Sequence, residues 1–370
     1  MPEVIVVGAG PVGLLMAAEL HRRGVDVEVL EQRGQAGPGS RAIGVHAPVL
    51  AALEESGLTA DLLDHAARVG RGEARSGGRV LGTVRFDRLS TRFPFVASLP
   101  QAATERVLSQ VAPEPRRGVG VTAIRPAARH VQLDMDSGDQ RAPLVVLAGG
   151  ARSRALVYRN PVARAYPDRY LMTDAEVTDR EDSGTAVVHL DADGVLESFP
   201  LPGQRRRFVA WDAPGASADP LQRRARMERA LSKRGETATG EISGFGVHRF
   251  LASQMRNGRL FVIGDAAHEI SPIGGQGMNL GLLDAATLAP LLAEWARTGV
   301  PPEAALQHWE RARVASASRA ARLAGLNTRL GRPATSSVNA VRRAGLRLMV
   351  GPGARRLFAH AYAMGFDVDA

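Results

Sequence analysis

Val4-Ile5-Val6-Val7-Gly8-Ala9-Gly10-Pro11-Val12-Gly13-Leu14-Leu15-Met16-Ala17-Ala18-Glu19-Leu20 is the stretch whose reading decides the fold. The apolar β-branched run reads as a buried strand, the glycines as a tight turn, and the apolar spacing that follows as a helix. Gly24 closes that helix, and Val25 to Leu30 alternates as a second strand that delivers Glu31 at its end. Right-handed crossover makes the two strands parallel neighbours in a βαβ unit. In Gly8-x-Gly10-x-x-Gly13 the first glycine permits the turn, the second lets the backbone approach a pyrophosphate, and the third lets helix and strand pack closely. With an acid at the end of the next strand, the unit predicts a dinucleotide site over Gly8, Gly10, Pro11, Val12, Gly13, Glu31, Gln32 and Arg33. A carboxylate at position 31 accepts from free ribose hydroxyls and repels a ribose phosphate, which leaves FAD or NAD for this site and disfavours NADP.

Further along, Val49 to Leu53 reads as part of a helix, and Gly70 to Gly82, rich in glycine and arginine, as a connection plus a short strand. Gln101 to Val111 has helical spacing and ends at Pro113 and Pro115, and short strands are expected over 119–124, 131–135 and 144–148. Between Tyr158 and Phe250 the pattern turns to strands over 186–190, 195–201 and 207–211, with Asp191-Ala192-Asp193-Gly194 as a hairpin signal. Arg259 to Asp265 returns to the buried-strand style, Met278 to Arg297 is helical, and so is the chain from Pro302 to Ala324, before a tail punctuated by glycine and proline. The expected fold class is α/β with an α+β insert: a Rossmann-like dinucleotide-binding domain, an inserted mostly antiparallel β-sheet substrate domain, and C-terminal helices. The expected division gives 1–75, 99–157 and 251–325 to the nucleotide domain and 158–250 to the insert. Residues 76–98 form a substrate-domain strand or connection, and 326–370 a C-terminal helical segment.

Composition narrows the function classes. At 370 residues with 45% apolar and 23% charged side chains, the chain has the make-up of a globular protein rather than a disordered one. Zero cysteines removes disulfides, thiolate metal ligands, cysteine nucleophiles and dithiol relays, and makes the cytoplasm the expected location. The net charge is +9, and Lys233 is the only lysine among 47 basic residues. The arginines are scattered, with no aromatic-interleaved basic stretch and no zinc-finger spacing, so no nucleic-acid partner is expected. The most apolar long segment, Leu280 to Ala296, contains Asp284, Pro290 and Glu294, so no transmembrane segment is expected; the N-terminal run lacks the basic leader of a secretory signal.

The second informative stretch is Gly264-Asp265-Ala266-Ala267-His268-Glu269-Ile270-Ser271-Pro272-Ile273-Gly274-Gly275-Gln276-Gly277-Met278-Asn279-Leu280. It places an acid after a strand and a glycine-rich turn at a helix start, where backbone N–H groups and the helix dipole receive negative charge. This segment resembles the FAD-binding motif of the flavoprotein monooxygenases related to para-hydroxybenzoate hydroxylase, the group A flavoprotein hydroxylases. The resemblance spans roughly residues 2–330 and is looser in the middle; with no thioredoxin-like domain in sight, it points to the family's shorter branch. It implies a Rossmann-like FAD-binding domain in which Gly8, Gly10 and Gly13 hold the ADP half of FAD and Glu31 its ribose. Arg41 is similar to the family's arginine near the flavin, and Gln101 to its ribityl-contacting glutamine. Asp265 would hold the ribityl chain, with Gly264 in its turn, and Pro272, Gly274, Gly275, Gln276, Gly277, Met278 and Asn279 would line the flavin edge.

The resemblance further implies that NADPH or NADH reduces FAD, that O2 forms a flavin C4a-hydroperoxide, and that one oxygen atom passes to an aromatic or polyketide-like small molecule, as in antibiotic biosynthesis. The chain departs from the family at Gly149-Gly150-Ala151-Arg152-Ser153, where the family carries an Asp-Gly pair before Ala-Arg-Ser. By the resemblance, the missing aspartate bears on the nicotinamide reaction more than on FAD binding. An FAD-dependent reductase of the geranylgeranyl-reductase type shares both terminal motifs and stays open, as does a flavin-binding protein that has lost NAD(P)H-driven monooxygenation. A flavin halogenase would need a Trp-x-Trp-x-Ile-Pro signature that is absent.

Flavin chemistry needs no catalytic triad or metal, and none is expected. His46 is kept as a candidate catalytic group beside the plainer reading of a helix-entry histidine; His189 has the same two readings, and His268 reads as structural. Alternation in Glu197-Ser198-Phe199-Pro200-Leu201 turns Phe199 and Leu201 to one face. With Trp211, Pro272 and Ile273, they are the candidate substrate residues, against ordinary core. The basic stretch Arg342 to Arg356 reads as a cap on the fold or a membrane-surface contact. A monomer or homodimer is expected.

Overall fold

The computed structural model describes residues 1–35, 37, 42–177, 181–237, 240–349, 360, 362 and 364. The opening run forms the strand Val4–Val7, buried along its whole length. It pairs in parallel with Val27–Glu31 on one side and Leu144–Leu147 on the other, and Leu260–Val262 pairs in parallel beyond that. Arg116–Arg117 and Arg256–Asn257 complete a six-stranded sheet at its two edges. Burial on both faces is why these strands read as continuous Val/Ile/Leu runs rather than alternating ones. From the first strand the chain moves to Val27–Glu31 and later returns to the opposite flank, so strand order reverses beside Val4–Val7. Open α/β sheets bind their ligands at such a reversal, beyond the carboxyl ends of the strands.

Two helices cover this region. Pro11–Arg22 starts on a proline, which lacks the N–H that a first helical position leaves unbonded. Gly277–Thr298 lies close to it: a Cβ on Gly281 would sit 2.6 Å from the Val12 side chain and 3.0 Å from the Gly264 backbone. Only a glycine lets the second helix approach the two turns this closely.

The second layer is an eight-stranded sheet. Its order is His268–Glu269, Ser243–Leu251, Arg164–Glu176, Arg205–Asp212, Gly194–Leu201, Thr185–Asp191, Arg71–Ser76 and Arg79–Arg85. All pairings are antiparallel except that of Thr185–Asp191 with Arg71–Ser76. One face buries Leu171, Leu196, Phe208 and Ala210 against Met227 and Leu231 of the helix Pro220–Ser232. The other face looks toward the strand ends of the first sheet. A small sheet of Gly44–Val45, Val96–Ser98 and Ala67–Val69 sits between, and Ser98 Oγ donates to the Pro200 carbonyl at 2.6 Å. The expected class, an α/β nucleotide fold carrying a mostly antiparallel sheet and C-terminal helices, is the one observed.

Several elements differ from the sequence reading. The stretch expected as a connection plus a short strand is two strands, Arg71–Ser76 and Arg79–Arg85, closed by Gly77 and Gly78 at φ +55° and +73°. Two consecutive positive-φ residues make the hairpin turn that matches strand twist. The proline-started helix Pro220–Ser232, capped by Asp219 accepting from the Gln222 N–H at 2.9 Å, was not expected. The helix Glu303–Leu330 outruns its expected end, and Ser336–Met349 is a separate helix within the segment 326–370. Gly331 and Pro333 mark a break between two helices rather than the end of helical structure.

Candidate active site

Four strands of the first sheet end on one edge, and each hands over to a candidate segment. Val4–Val7 leads into Gly8, Val27–Glu31 ends at the acid, Leu144–Leu147 leads to Gly149, and Leu260–Val262 leads to Gly264-Asp265. At the first of these, Gly8 has φ +112°, and a Cβ on it would meet the Ala148 carbonyl at 2.6 Å. A Cβ on Gly13 would lie 1.9 Å from the Gly8 carbonyl, whereas one on Gly10 would meet nothing within 4 Å. The outer two glycines are thus required by packing, and the middle one faces open space. The helix behind them has Gly10 as N-cap with no side-chain cap, so its first amides have no internal acceptor and present positive charge. An anionic diphosphate fits that cradle.

Glu31 is buried and held from two sides: its carboxylate accepts from the Ala9 N–H and the Arg33 N–H at 2.9 Å each, and from the Arg33 guanidinium at 3.1 Å. Burial pushes its pKa up, but these donors outweigh it and hold the carboxyl below its ordinary value. Gln32 and Arg33 line the same cavity. Gln101 lines it too, donating to Glu105 at 2.7 Å. Arg41 lies outside the described residues.

The Gly264-Asp265 turn is fixed from behind. Asp284, fully buried on the helix Gly277–Thr298, accepts from the Gly264 N–H at 3.0 Å, from His268 Nε2 at 2.5 Å and from Arg313 Nε at 2.8 Å. Burial alone would raise the Asp284 pKa; the charges of His268 and Arg313 bring it down to about 2, and Asp284 in turn raises His268 against its own burial. His268 is therefore a structural partner in a buried ion network. Asp265 itself lines the cavity. Arg154 ties the Gly149–Ser153 segment to this turn, donating to Glu269 at 2.5 Å and to the Asp265 carbonyl at 3.3 Å over the face of Phe250. At the departure from the family pattern, a Cβ on Gly149 would sit 2.8 Å from the Ser153 side chain.

Gly8, Gly10, Pro11, Val12, Glu31, Gln32, Arg33, Gln101, Gly264, Asp265, Pro272, Gly274, Gly275, Gly277 and Met278 all line one cavity of about 800 Å³. Gly13, Gln276 and Asn279 lie behind its wall. Asn279 is buried and braces it, accepting from the His46 N–H at 2.8 Å and donating to the carbonyls of Gly44 at 2.8 Å and Gly275 at 3.1 Å. The His46 ring lines the cavity, and burial lowers its pKa to about 4, so it is neutral at neutral pH.

The far wall is the large sheet. Phe199, Pro272 and Ile273 line it, but Leu201 and Trp211 do not. Leu201 is buried at the strand end, and Trp211 packs on Gly194 and donates to Asp168 at 3.2 Å. The lining beyond the candidate substrate residues includes Val188, Val195, Glu197 and Val209, from segments read as strands, and Met172 and Val247, from the strands Arg164–Glu176 and Ser243–Leu251, which the sequence reading did not mark. Alternation signals some of these, since Val195 and Glu197 share the Phe199 face. Asp284 and Arg313 gave no local signal. Among the described residues no group of three or more His, Cys, Asp or Glu side chains is placed to hold a metal, and no helix is long and apolar enough to cross a membrane.

Comparison with known proteins agrees with this geometry. A family model described as FAD binding domain matches residues 1–324. The chain is 34% identical over 317 residues to 6-methylpretetramide 4-monooxygenase of Streptomyces rimosus, covering 80% of this chain and 56% of that one. It is 33% identical over 325 residues to the rifampicin monooxygenase of Streptomyces venezuelae, covering 81% and 66%. The chain thus spans less than two thirds of the length of these curated relatives. The crystal structure of p-nitrophenol 4-monooxygenase from Pseudomonas putida DLL-E4 superposes with a TM-score of 0.87 over 98% of both chains, at 24% identity, a likeness of fold.

Proposed function

The chain belongs to the FAD binding domain family, and from that premise we propose that it is an FAD-dependent monooxygenase. Driven by NADPH or NADH in the cytoplasm, it inserts one oxygen atom of O2 into an aromatic or polyketide-like small molecule. The observation that carries this reading is the single cavity of about 800 Å³ that joins the glycine-lined strand ends to an apolar sheet wall. One end suits a dinucleotide and the other a flat apolar ligand.

Bound FAD supplies the redox and oxygen-transfer chemistry; the chain supplies the setting. Gly8 to Gly13 and the helix start behind them would take the diphosphate, Glu31 the adenosine ribose, and Asp265 the ribityl chain. The Gly274–Gly277 turn opens the helix Gly277–Thr298, whose dipole is worth about 0.3–1 kcal/mol to negative charge beside it. Val188, Val195, Val209 and Phe199 exclude water from the reacting end. His46, neutral and buried, offers a hydrogen bond rather than a charge.

Gly149 favours a second reading, a flavin-binding protein that NAD(P)H does not reduce, because Ser153 fills the space that a larger side chain at 149 would need. One experiment separates the two. Visible flavin absorption of the purified protein is followed anaerobically as NADPH is added, and labelled O2 is then traced into product. Bleaching by NADPH and label in the product support the monooxygenase. Bleaching only by a chemical reductant supports the second reading, and reduction of the substrate without label supports a reductase. A protein that cannot be loaded with FAD overturns the central proposal.

A further inference from the structure

Glu197 is a carboxyl where the surrounding chemistry calls for an apolar residue. It lies mid-strand in Gly194–Leu201, near the centre of the large sheet, and its side chain lines the cavity. Its cross-strand neighbours are Val188 and Val209, and Val195 and Phe199 flank it on the same face. The residue is only 5% exposed. Among the described residues its carboxyl has no hydrogen bond and no ion pair. On that face Arg207 stands opposite Phe199, and its guanidinium donates to Asp174 at 2.6 and 2.8 Å. Tyr170 and Tyr362 are within electrostatic reach without bonding to it, and Tyr362 donates to Asn327 instead.

A buried polar group without a partner is destabilising, because it has given up its hydrogen bonds to water and gained none. A valine in its place would continue the wall formed by its neighbours. A carboxyl kept there, aimed into a ligand cavity, is a group whose partner arrives with the ligand.

We propose that Glu197 is the specificity-determining anchor of the cavity, hydrogen-bonding an aromatic or enolic O–H of the substrate and so setting which edge of the ring system faces the strand-end crevice. The assignment rests on the reading of this cavity as the substrate site. Burial pushes the Glu197 carboxyl up to about 8, so near neutral pH it is mostly a neutral acid. A neutral acid both donates and accepts, which pairs it with an uncharged hydroxyl rather than with a cation.

The test uses 2-naphthol and its methyl ether, 2-methoxynaphthalene, a pair that differs in the O–H donor. Each is titrated into FAD-loaded protein whose flavin content is read first from its visible absorption, and binding is followed by ligand fluorescence and flavin perturbation. Wild type is expected to prefer the naphthol by roughly tenfold, the scale of one hydrogen bond to a buried group. Glu197→Val is expected to lose that preference. Glu197→Gln, which keeps shape and a hydrogen-bond acceptor, is expected to retain most of it, a rescue that a purely structural role would not produce. No preference in wild type, whether both compounds bind or neither does, would overturn the assignment, as would an undiminished preference in Glu197→Val. Since the protein carries flavin throughout, either result strikes the role of Glu197 and leaves the flavoprotein reading standing.

Discussion

Glu197 carries its proton through a pH range in which the unfolded chain has released it. The pKa is about 8 in the folded protein against an ordinary value of 4.5, so between those values the native state binds more protons than the unfolded one. The stability contributed by the neutral form is fully present below about 4.5 and is lost as pH rises through about 8. Glu197→Gln has no proton to lose. Wild type and variant are therefore expected to unfold alike near pH 4.5, with the variant gaining as pH rises, to an advantage on the order of a few kcal/mol above pH 8. Urea titrations across that range check this, and a constant gap between the two proteins would count against a buried neutral acid. Gly13 imposes a steric constraint instead, since a Cβ there would lie 1.9 Å from the Gly8 carbonyl. Gly13→Ala must displace the turn or the helix, and is expected to cost about 1–3 kcal/mol and to abolish flavin retention on gel filtration. Gly10→Ala, with open space around its Cβ, is expected to fold with wild-type stability while binding flavin more weakly, because the methyl group enters the diphosphate cradle.

At the scale of elements, the helix Gly277–Thr298 does two jobs, offering its start to the cavity and Asp284 to the Gly264 turn. Asp284→Asn keeps the shape but leaves Arg313 and His268 without their anion in a site that excludes water. Removing one member of such a buried network costs about 3–5 kcal/mol. The variant is expected to lose that much by urea denaturation and to release flavin on dilution; wild-type stability would show that water reaches the network. This helix and the strand–glycine–helix at the N-terminus were legible because their signals are local: apolar runs of the right length, and turn glycines between them. Other elements were not. Arg71–Ser76 contains glycine, alanine and charged residues and no β-branched one, and forms a strand because it is paired on both sides, with Thr185–Asp191 and with Arg79–Arg85. Strand propensity depends on such partners more than on the residues themselves. The helix Pro220–Ser232 was hidden by its polar sequence, which carries four arginines and a glutamate, with only Met227 and Leu231 buried against the sheet.

For the whole molecule, function depends on bringing together segments around residues 10, 31, 150, 200 and 270 that are remote in sequence. Sheet order achieves this: each strand end is a local feature, but their convergence follows from a strand order that no local pattern encodes. The same limit explains the candidate site. The glycines and acids of the two motifs were visible one by one, and alternation put Val195 and Glu197 on the Phe199 face, whereas the rest of the cavity floor, such as Met172 and Val247, required knowing which strands of the large sheet lie side by side. A ligand that bridges these segments binds only the folded chain and stabilises it by mass action, by about 4 kcal/mol at a thousandfold excess over its dissociation constant. FAD is expected to raise the melting temperature of flavin-free protein progressively with concentration. FMN, which lacks the adenosine half that Gly8 to Gly13 and Glu31 would hold, is expected to raise it far less. ADP, carrying that half alone, should give a smaller shift that Gly10→Ala removes. Thermal unfolding with each ligand decides the matter: if FMN stabilises the protein as well as FAD does, the strand-end cradle is not where the adenosine diphosphate binds, and the N-terminal glycines serve packing alone.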